Sequence, residues 1–559
     1  MKTKLILVVL MLMLGFSEVV SQGVIMRVLT YNGPGNQIDE VTGVIMDGNG
    51  NVYVTGFSTG TNSGEDFATI KFSNSGDFLW VSRFNGTGNY QDRAAAITID
   101  GDGNVYVTGW GHMEPTAAMC GTIDFITIKY NSNGVQQWVK TYNGTGGGED
   151  KAISIALDAS GNVYAAGTSN SSNNGQDYVI VKYNNSGAQQ WVARYDGVSH
   201  GADQLNSMTL DRFGNVYATG SSFKTNYGTD YVTVKYNTSG VLQWAVSYNG
   251  PVNSDDKAYS IAVDVHGNSF VTGGSKGSGS NYDYATLKYN SSGVVQWLMR
   301  YNGPGNNIDE AHTIILDPYG NSYVSGFSIG SGTNYDYATL RYDPDGKQLW
   351  ANRYNSAANG IDKAWDMKLI KKSCPGEGDY PCWNFDIYVT GQSEGMGSGY
   401  DYLTAKYDEL GNLKWSCRYT SSGNVEDVAN VVALRDELPY VYVGGRLNNN
   451  YGIIQISNRY SGTDNFILNE KPAAFKLSQN YPNPFNPATI IGYSIPKDEF
   501  VELKVYDILG KEVTKLVNEY QISGTHNVSF DASSLPSGTY VYTIKAGNYT
   551  ESKKMVLMK

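Results

Sequence analysis

One tryptophan recurs along this chain at Trp80, Trp138, Trp191, Trp244, Trp297, Trp350 and Trp415, each time four residues before an aromatic. Where nothing is inserted the step is 53 residues, as from Trp138 to Trp191 and from Trp191 to Trp244. A fixed period of this length means one supersecondary unit used many times, each copy burying its apolar face against the next. Three further markers keep step with it between residues 24 and 460. Twelve residues after each tryptophan stands an aspartate: Asp92, Asp150, Asp203, Asp256, Asp309, Asp362 and Asp427. A D-x-x-G-N turn follows, as at residues 158–162, and leads into VYVTG or a close variant. The last marker is a DY-x-T-x-KY run, as at residues 283–289 and 336–342.

Within a unit, apolar residues alternate in four short segments separated by turn residues, the pattern of four antiparallel strands. In the third unit these are predicted at 152–157, 162–166, 178–183 and 188–195. Composition agrees: 65 glycines, 43 tyrosines and 17% charged residues suit strands and turns better than helices. The fold class expected is all-β. Four-stranded units repeated about an axis make a propeller, which leaves only short, protected edges. A straight β-solenoid is the alternative, though its repeats are usually shorter.

The first, second and third strands each occur eight times, but the tryptophan-bearing fourth strand only seven. The missing one is at the front, where Arg27 takes the place of tryptophan in RVLTY and Asp39 follows twelve residues later. The expected architecture is therefore eight blades, the last completed by the N-terminal strand, with seven blades as the alternative. These units resemble the SBBP-type β-propeller repeat of exported prokaryotic proteins, through LDxxGNVYVTGxS and DYxTxKYNxSGxxQW. The resemblance implies a propeller and brings no catalytic residues; the family name implies seven blades, whereas this chain counts to eight.

The turns between first and second strands and between third and fourth are tight hairpins. The other two connections are longer, fall on one end of a propeller, and mark that end as the expected binding face. There the aspartates Asp39, Asp92, Asp150, Asp203, Asp256, Asp309, Asp362 and Asp427 would form a ring. They serve either a cation or polar ligand, or the loops themselves by accepting backbone N–H bonds. The turns DGNGN at Asp47 and DGDGN at Asp100 and Asp102 leave calcium open as a cofactor, but lack the full oxygen set and bidentate glutamate of a calcium loop. No other cofactor is indicated. The tryptophan series is expected to pack between blades. Binding aromatics are sought among less regular positions, Trp110, Tyr227 and Tyr335.

Enzyme signatures are absent: His112, His200, His266, His312 and His526 fit no metal or triad spacing. The expectation is no enzyme, with a propeller glycoside hydrolase using loop carboxylates as the alternative. The net charge of −12 argues against nucleic acid.

The two ends carry addresses. Lys2 and Lys4 precede an apolar run from Leu5 to Leu14, and Val19 and Ser21 suit cleavage before Gln22, so residues 1–21 read as a signal peptide too short to span a bilayer. No membrane span is expected in the mature chain. Cys374 and Cys382 lie in one insertion and form the candidate disulfide in an oxidising compartment; Cys120 and Cys417 have no evident partner. After the repeats (22–462) and a polar linker (463–474), residues 475–559 alternate as half-buried strands of a small β-sandwich. This stretch resembles the type A C-terminal sorting domain of the type IX secretion system. The carriers are Tyr481, Pro482, Asn483, Pro484, Phe485, Asn486 and Pro487, then VYDILGKEV, the LPSGTYVY run with Gly538, and Lys553 and Lys554 near the end. The resemblance implies type IX machinery as a partner, surface lipopolysaccharide as a site of attachment, and a cell-surface or secreted location in a Gram-negative-type bacterium. The function expected is a binding module for a polysaccharide or protein, with a structural adhesin or envelope component as the other reading.

Overall fold

The computed structural model describes residues 21–113, 123–172, 175–373, 383–395, 397, 399–421, 426–436, 438, 440–457, 474–497, 499–521 and 524–558. The predicted signal peptide (but for Ser21), most of the linker, and Cys120, Cys374 and Cys382 lie outside them. Among the described residues the regular secondary structure is strand throughout, and no helix is long and apolar enough to cross a membrane.

Each repeat unit folds as a four-stranded antiparallel meander. In the third sheet the strands are Asp150–Leu157, Val163–Asn170, Gln176–Tyr183 and Gln189–Tyr195. The second strand thus runs past the expected end at residue 166. The glycine of VYVTG does not stop it but answers a β-bulge in the first strand, where the register shifts between Ala152 and Ser154. The bulge brings a first-strand carbonyl so close that a Cβ on Gly167 would lie 1.9 Å from Lys151 O. The same shift recurs in every sheet. It leaves Thr42, Ala95, Ile153, Asn206, Tyr259, His312, Trp365 and Asn430 as the unpaired bulge residues.

First strands of successive sheets lie side by side, so they are the inner strands, and the fourth strands are outermost. Two contacts recur at most junctions. A buried third-strand tyrosine donates to a third-strand carbonyl of the next sheet, as Tyr178 to Val232 O (3.3 Å), Tyr231 to Ala285 O (3.3 Å) and Tyr284 to Ala338 O (3.0 Å). A fourth-strand tryptophan donates its indole N–H to the next sheet's hairpin, as Trp191 to Thr238 O and Trp244 to Ser291 O, both 3.1 Å. The expectation that these tryptophans pack between units is met. The hairpin glycine beside that carbonyl lies flat on the indole. Gly240 has φ +77° and a Cβ there would sit 2.7 Å from Trp191 Cδ2. Gly240→Val should therefore lower stability by about 3 kcal/mol, from left-handed backbone strain together with overpacking. Gly101→Val has open space and no unusual φ, and should stay within ~0.5 kcal/mol. Urea titration of both variants checks the difference.

The N-terminal residues occupy the position that the count of strands assigned them. Ile25–Tyr31 pairs antiparallel with Asn450–Ser457 as the outer strand of the last repeat sheet. That sheet also touches the first: Tyr451 donates to Ala68 O at 2.9 Å, and Asn430 to Val41 O at 3.0 Å. The side chain of Arg27 covers Gly76 as the tryptophans cover their glycines elsewhere, and Gly23 lies against Trp415. In the seventh sheet the insertion lengthens the first hairpin, whose strands become Asp362–Ser373 and Trp383–Gly395. Cys417 is buried and free, and burial pushes its thiol up to about 12.

Residues 474–558 form a sandwich, a three-stranded sheet facing a four-stranded one over Tyr493, Leu503, Phe530, Tyr542 and Leu557, and its strand Gly524–Asp531 lies against Ile25–Tyr31. The opening YPNPFNP run is tied to the last strand. Phe485 is buried and its N–H donates to Val556 O at 2.9 Å, while Asn483 Oδ1 accepts the Val556 N–H at 2.9 Å. Tyr481 is exposed, as are Gly538 and Lys554; Lys553 is half-buried.

Candidate functional site

The eight aspartates do stand at equivalent places, at or just before the start of each inner strand, but they are almost wholly buried. Asp39 accepts from Gly33 N (2.6 Å) and Thr59 N (3.0 Å), joining the loop that enters the sheet to the end of its second strand. Asp309 does the same with Gly303 N (2.6 Å) and Ile329 N (3.2 Å), and Asp427 with Ser421 N (2.6 Å) and Asn448 N (2.9 Å). Asp92, Asp150 and Asp256 repeat this, while Asp203 and Asp362 hold the entering loop through Gly197 N and Ser356 N. Their oxygens are directed at loop amides, which is the self-serving role weighed for them above. Burial pushes Asp39, Asp92 and Asp203 up to about 6 against these hydrogen bonds, and raises Asp256, Asp309, Asp362 and Asp427 as well.

The DGNGN and DGDGN turns are likewise closed on themselves. Asp47 accepts from the Asn49 and Asn51 amides (both 2.9 Å), Asn51 Nδ2 (2.7 Å) and Tyr53 OH (3.0 Å). Burial raises its pKa, but those bonds prevail and hold it below the ordinary value; Asp100 behaves alike. The one group of carboxylates among the described residues with metal-like spacing is Asp177, Asp196 and Asp203, with oxygens within 4.8 Å of one another. It arises because Asp196 stands where neighbouring units have asparagine, and Asp196 also holds His200 Nδ1 at 2.6 Å.

Sequence reasoning passed over an arginine three residues after the tryptophan. Arg300 reaches Asp283 (2.8 Å), Ser275 O (2.8 Å) and Tyr248 OH of the preceding sheet (3.0 Å). Arg83, Arg194 and Arg353 pair with Asp66, Asp177 and Asp336 in the same way, and Arg418 with Asp401. In the fourth sheet Ser247 replaces the arginine, and Lys224 supplies the missing cation to Asp230 at 2.8 Å.

Against this frame, two irregular groups stand on and beside the inner strands at the long-loop end. Near Trp110, Arg93 lies over Phe57 (4.3 Å) and Trp110 (5.7 Å) and pairs with Glu65, while Lys151 lies 5.1 Å over Trp110. The second group includes Tyr335. His312 stacks on Tyr259 (4.7 Å, 14°) and on Phe327 (5.2 Å, 28°) and meets Trp365 edge-on (4.8 Å, 80°). Phe327 meets Tyr335 edge-on at 5.1 Å, and Lys363 Nζ lies 4.4 Å from both rings. Tyr259, His312 and Trp365 are the bulge residues of three successive sheets, spaced by the repeat period. That in-phase run of three different rings was the signal that could have found them. Tyr227, exposed on a hairpin of the fourth sheet, joins neither group.

Meanders of this kind, packed inner strand to inner strand, are those of a β-propeller, here followed by a β-sandwich. The family models agree: residues 79–112 match a beta-propeller repeat, SBBP, and residues 479–558 match a secretion system C-terminal sorting domain. The sorting domain directs the chain through the type IX secretion system to the cell surface or the medium. No curated protein matches the chain. Among solved structures, PorZ, a surface component of the type IX secretion system of Porphyromonas gingivalis, is 12% identical, with 93% of this chain and 81% of that one covered at a TM-score of 0.28. A protein from Lactobacillus plantarum is 12% identical over 58% of this chain and 86% of its own, with a TM-score of 0.37. The GH93 α-L-arabinofuranosidase of Fusarium graminearum is 10% identical over 54% and 91%, with a TM-score of 0.30.

Proposed function

We propose that the chain is a recognition module displayed outside the cell. Its eight repeat sheets close into one ring, with residues 25–31 completing the last, and the ligand is bound without turnover on the long-loop end. The observation that carries this reading is a division of labour within the repeat. The buried aspartates and the second-strand glycines are the same from unit to unit, while the half-buried positions beside them on the inner strands change freely, from Arg93 to Glu310 and from Thr42 to Trp365. A scaffold that served only as a spacer would have no reason to gather its irregular aromatics at one end.

Thermal unfolding of the mature chain against a panel of polysaccharides and calcium tests it. A ligand at a hundred times its Kd adds about 2.7 kcal/mol to stability, a plain rise in melting temperature. A shift with one glycan class and no product by chromatography is the expected result. Products would make the chain a hydrolase. Failure of every glycan, with no saturable protein partner on the cell surface, would leave a structural envelope component.

A further inference from the structure

Three of the eight inner-strand bulge residues carry rings, where Ala95 and Ile153 are aliphatic and the other three are polar. At this position Thr42, Asn206 and Asn430 each donate to an inner-strand carbonyl of the next sheet: Ala94 O (2.8 Å), Ala258 O (2.7 Å) and Val41 O (3.0 Å). Tyr259, His312 and Trp365 hold the same place in the fifth, sixth and seventh sheets. They stand there as a continuous half-buried aromatic wall, backed by Phe327 and Tyr335. Polar groups of both kinds are set into it. Glu310 Oε2 lies 3.6 Å from His312 Nε2, which makes no hydrogen bond, and Lys363 lies against the rings of Phe327 and Tyr335. Beside Glu310 the fifth sheet has Gly274 where the sixth has Phe327, and a Cβ there would meet Glu310 Cγ at 3.1 Å.

We propose, resting on the recognition reading above, that this wall is a subsite for a neutral saccharide. Aromatic rings accept the apolar face of a pyranose, while Glu310 and Lys363 supply an acceptor and a donor for its hydroxyls. The choice of a neutral sugar follows from charge: Glu310 and Lys363 balance one another, and a chain of net charge −12 repels polyanions. The choice of a slender chain over a globular partner follows from position. Tyr259, His312 and Trp365 stand on the innermost strands rather than on the loops, whereas protein recognition wants roughly 800 Å² of open surface on each partner.

Isothermal titration of the mature full chain with cellohexaose, laminarihexaose, mannohexaose and xylohexaose tests the assignment. One of these should bind, and Trp365→Ala and Tyr259→Ala should each weaken it ~10-fold or more. Phe213→Ala, 65% exposed on a hairpin at the other end, should bind as the parent does. Trp365→Phe guards against misfolding, since it keeps the packing and should give a smaller graded loss at an unchanged melting temperature. A hexaose bound equally by the parent, Trp365→Ala and Tyr259→Ala overturns the subsite and leaves the recognition reading standing. Failure of all four hexaoses overturns the subsite. If a charged glycan or a surface protein then binds saturably, the module reading survives; if neither binds, both fall.

Discussion

A mature chain beginning at residue 32 should fail to give the cooperative unfolding transition of one beginning at residue 22. Removing Ile25–Tyr31 strips the outer strand from the last repeat sheet and uncovers the edge of Asn450–Ser457. It also removes Leu29 and Tyr31, both buried, from the cluster they share with Val54, Ile70, Tyr451 and Ile453. Each such side chain contributes about 1.5–3 kcal/mol by burial alone. The bared strand edge and its apolar face favour association between chains. The loss should reach ~5 kcal/mol or more once the ladder hydrogen bonds are included. Calorimetry and light scattering read both effects, and a peptide of residues 22–33 added in trans should restore the transition. An unchanged melting temperature in the shortened chain would refute closure by this strand.

The second large effect is a melting temperature that rises as the solution is acidified from pH 7.5 toward pH 4.5. Burial places Asp39, Asp92 and Asp203 at about 6 in the folded chain, against an ordinary 3.8. Between those two values the folded chain holds more protons than the unfolded one, so stability declines as pH rises through the window. The contribution is complete below pH 3.8 and gone above about 6. Each group is worth about 2 kcal/mol after allowance for partial hydration, and the sum corresponds to a rise of the order of 5–10 °C. Asp47 and Asp100, held low by their turns, act in the opposite sense and set the acid limit: their contribution is present above 3.8 and fades below it. Calorimetry at half-unit intervals measures the curve, and Asp39→Asn should flatten it. A melting temperature constant or highest at pH 7.5 would refute the role given to these carboxylates.

What the sequence made legible follows from how each residue acts. The tryptophans, the loop aspartates and the DxxGN turns act within one unit or across one junction. Their physics repeats with the period, so their places could be assigned before any coordinates, while the role of the aspartates stayed open between a ligand and the loops themselves. Arg27 was placed correctly for the same reason, by its distance from Asp39. The second strand was drawn too short because the bulge opposite Gly167 breaks simple alternation, and a glycine inside a strand is indistinguishable from a stop until its partner strand is known. The arginines at Arg83 and Arg300 went unread because their partners lie on three different strands. The aromatic wall was missed for the opposite reason. Tyr259, His312 and Trp365 differ in identity, so only their shared phase on the inner strands reveals that they meet. Of the aromatics sought in irregular positions, Tyr335 joins that wall, Trp110 forms a separate group, and Tyr227 stands alone.

The substitution of Arg27 for tryptophan bears on how such a chain avoids tying itself, or a neighbour, into the wrong knot. Seven of the outer strands carry the same indole, so on contacts alone any of them could be exchanged for another, within one molecule or between two. The strand that must travel the full length of the chain to find its seat is the one that differs. Its guanidinium settles over Gly76, where the other outer strands lay an indole on their glycine. An odd tooth on an otherwise uniform gear meshes at a single place, and here it would discriminate against domain-swapped dimers and misaligned rings.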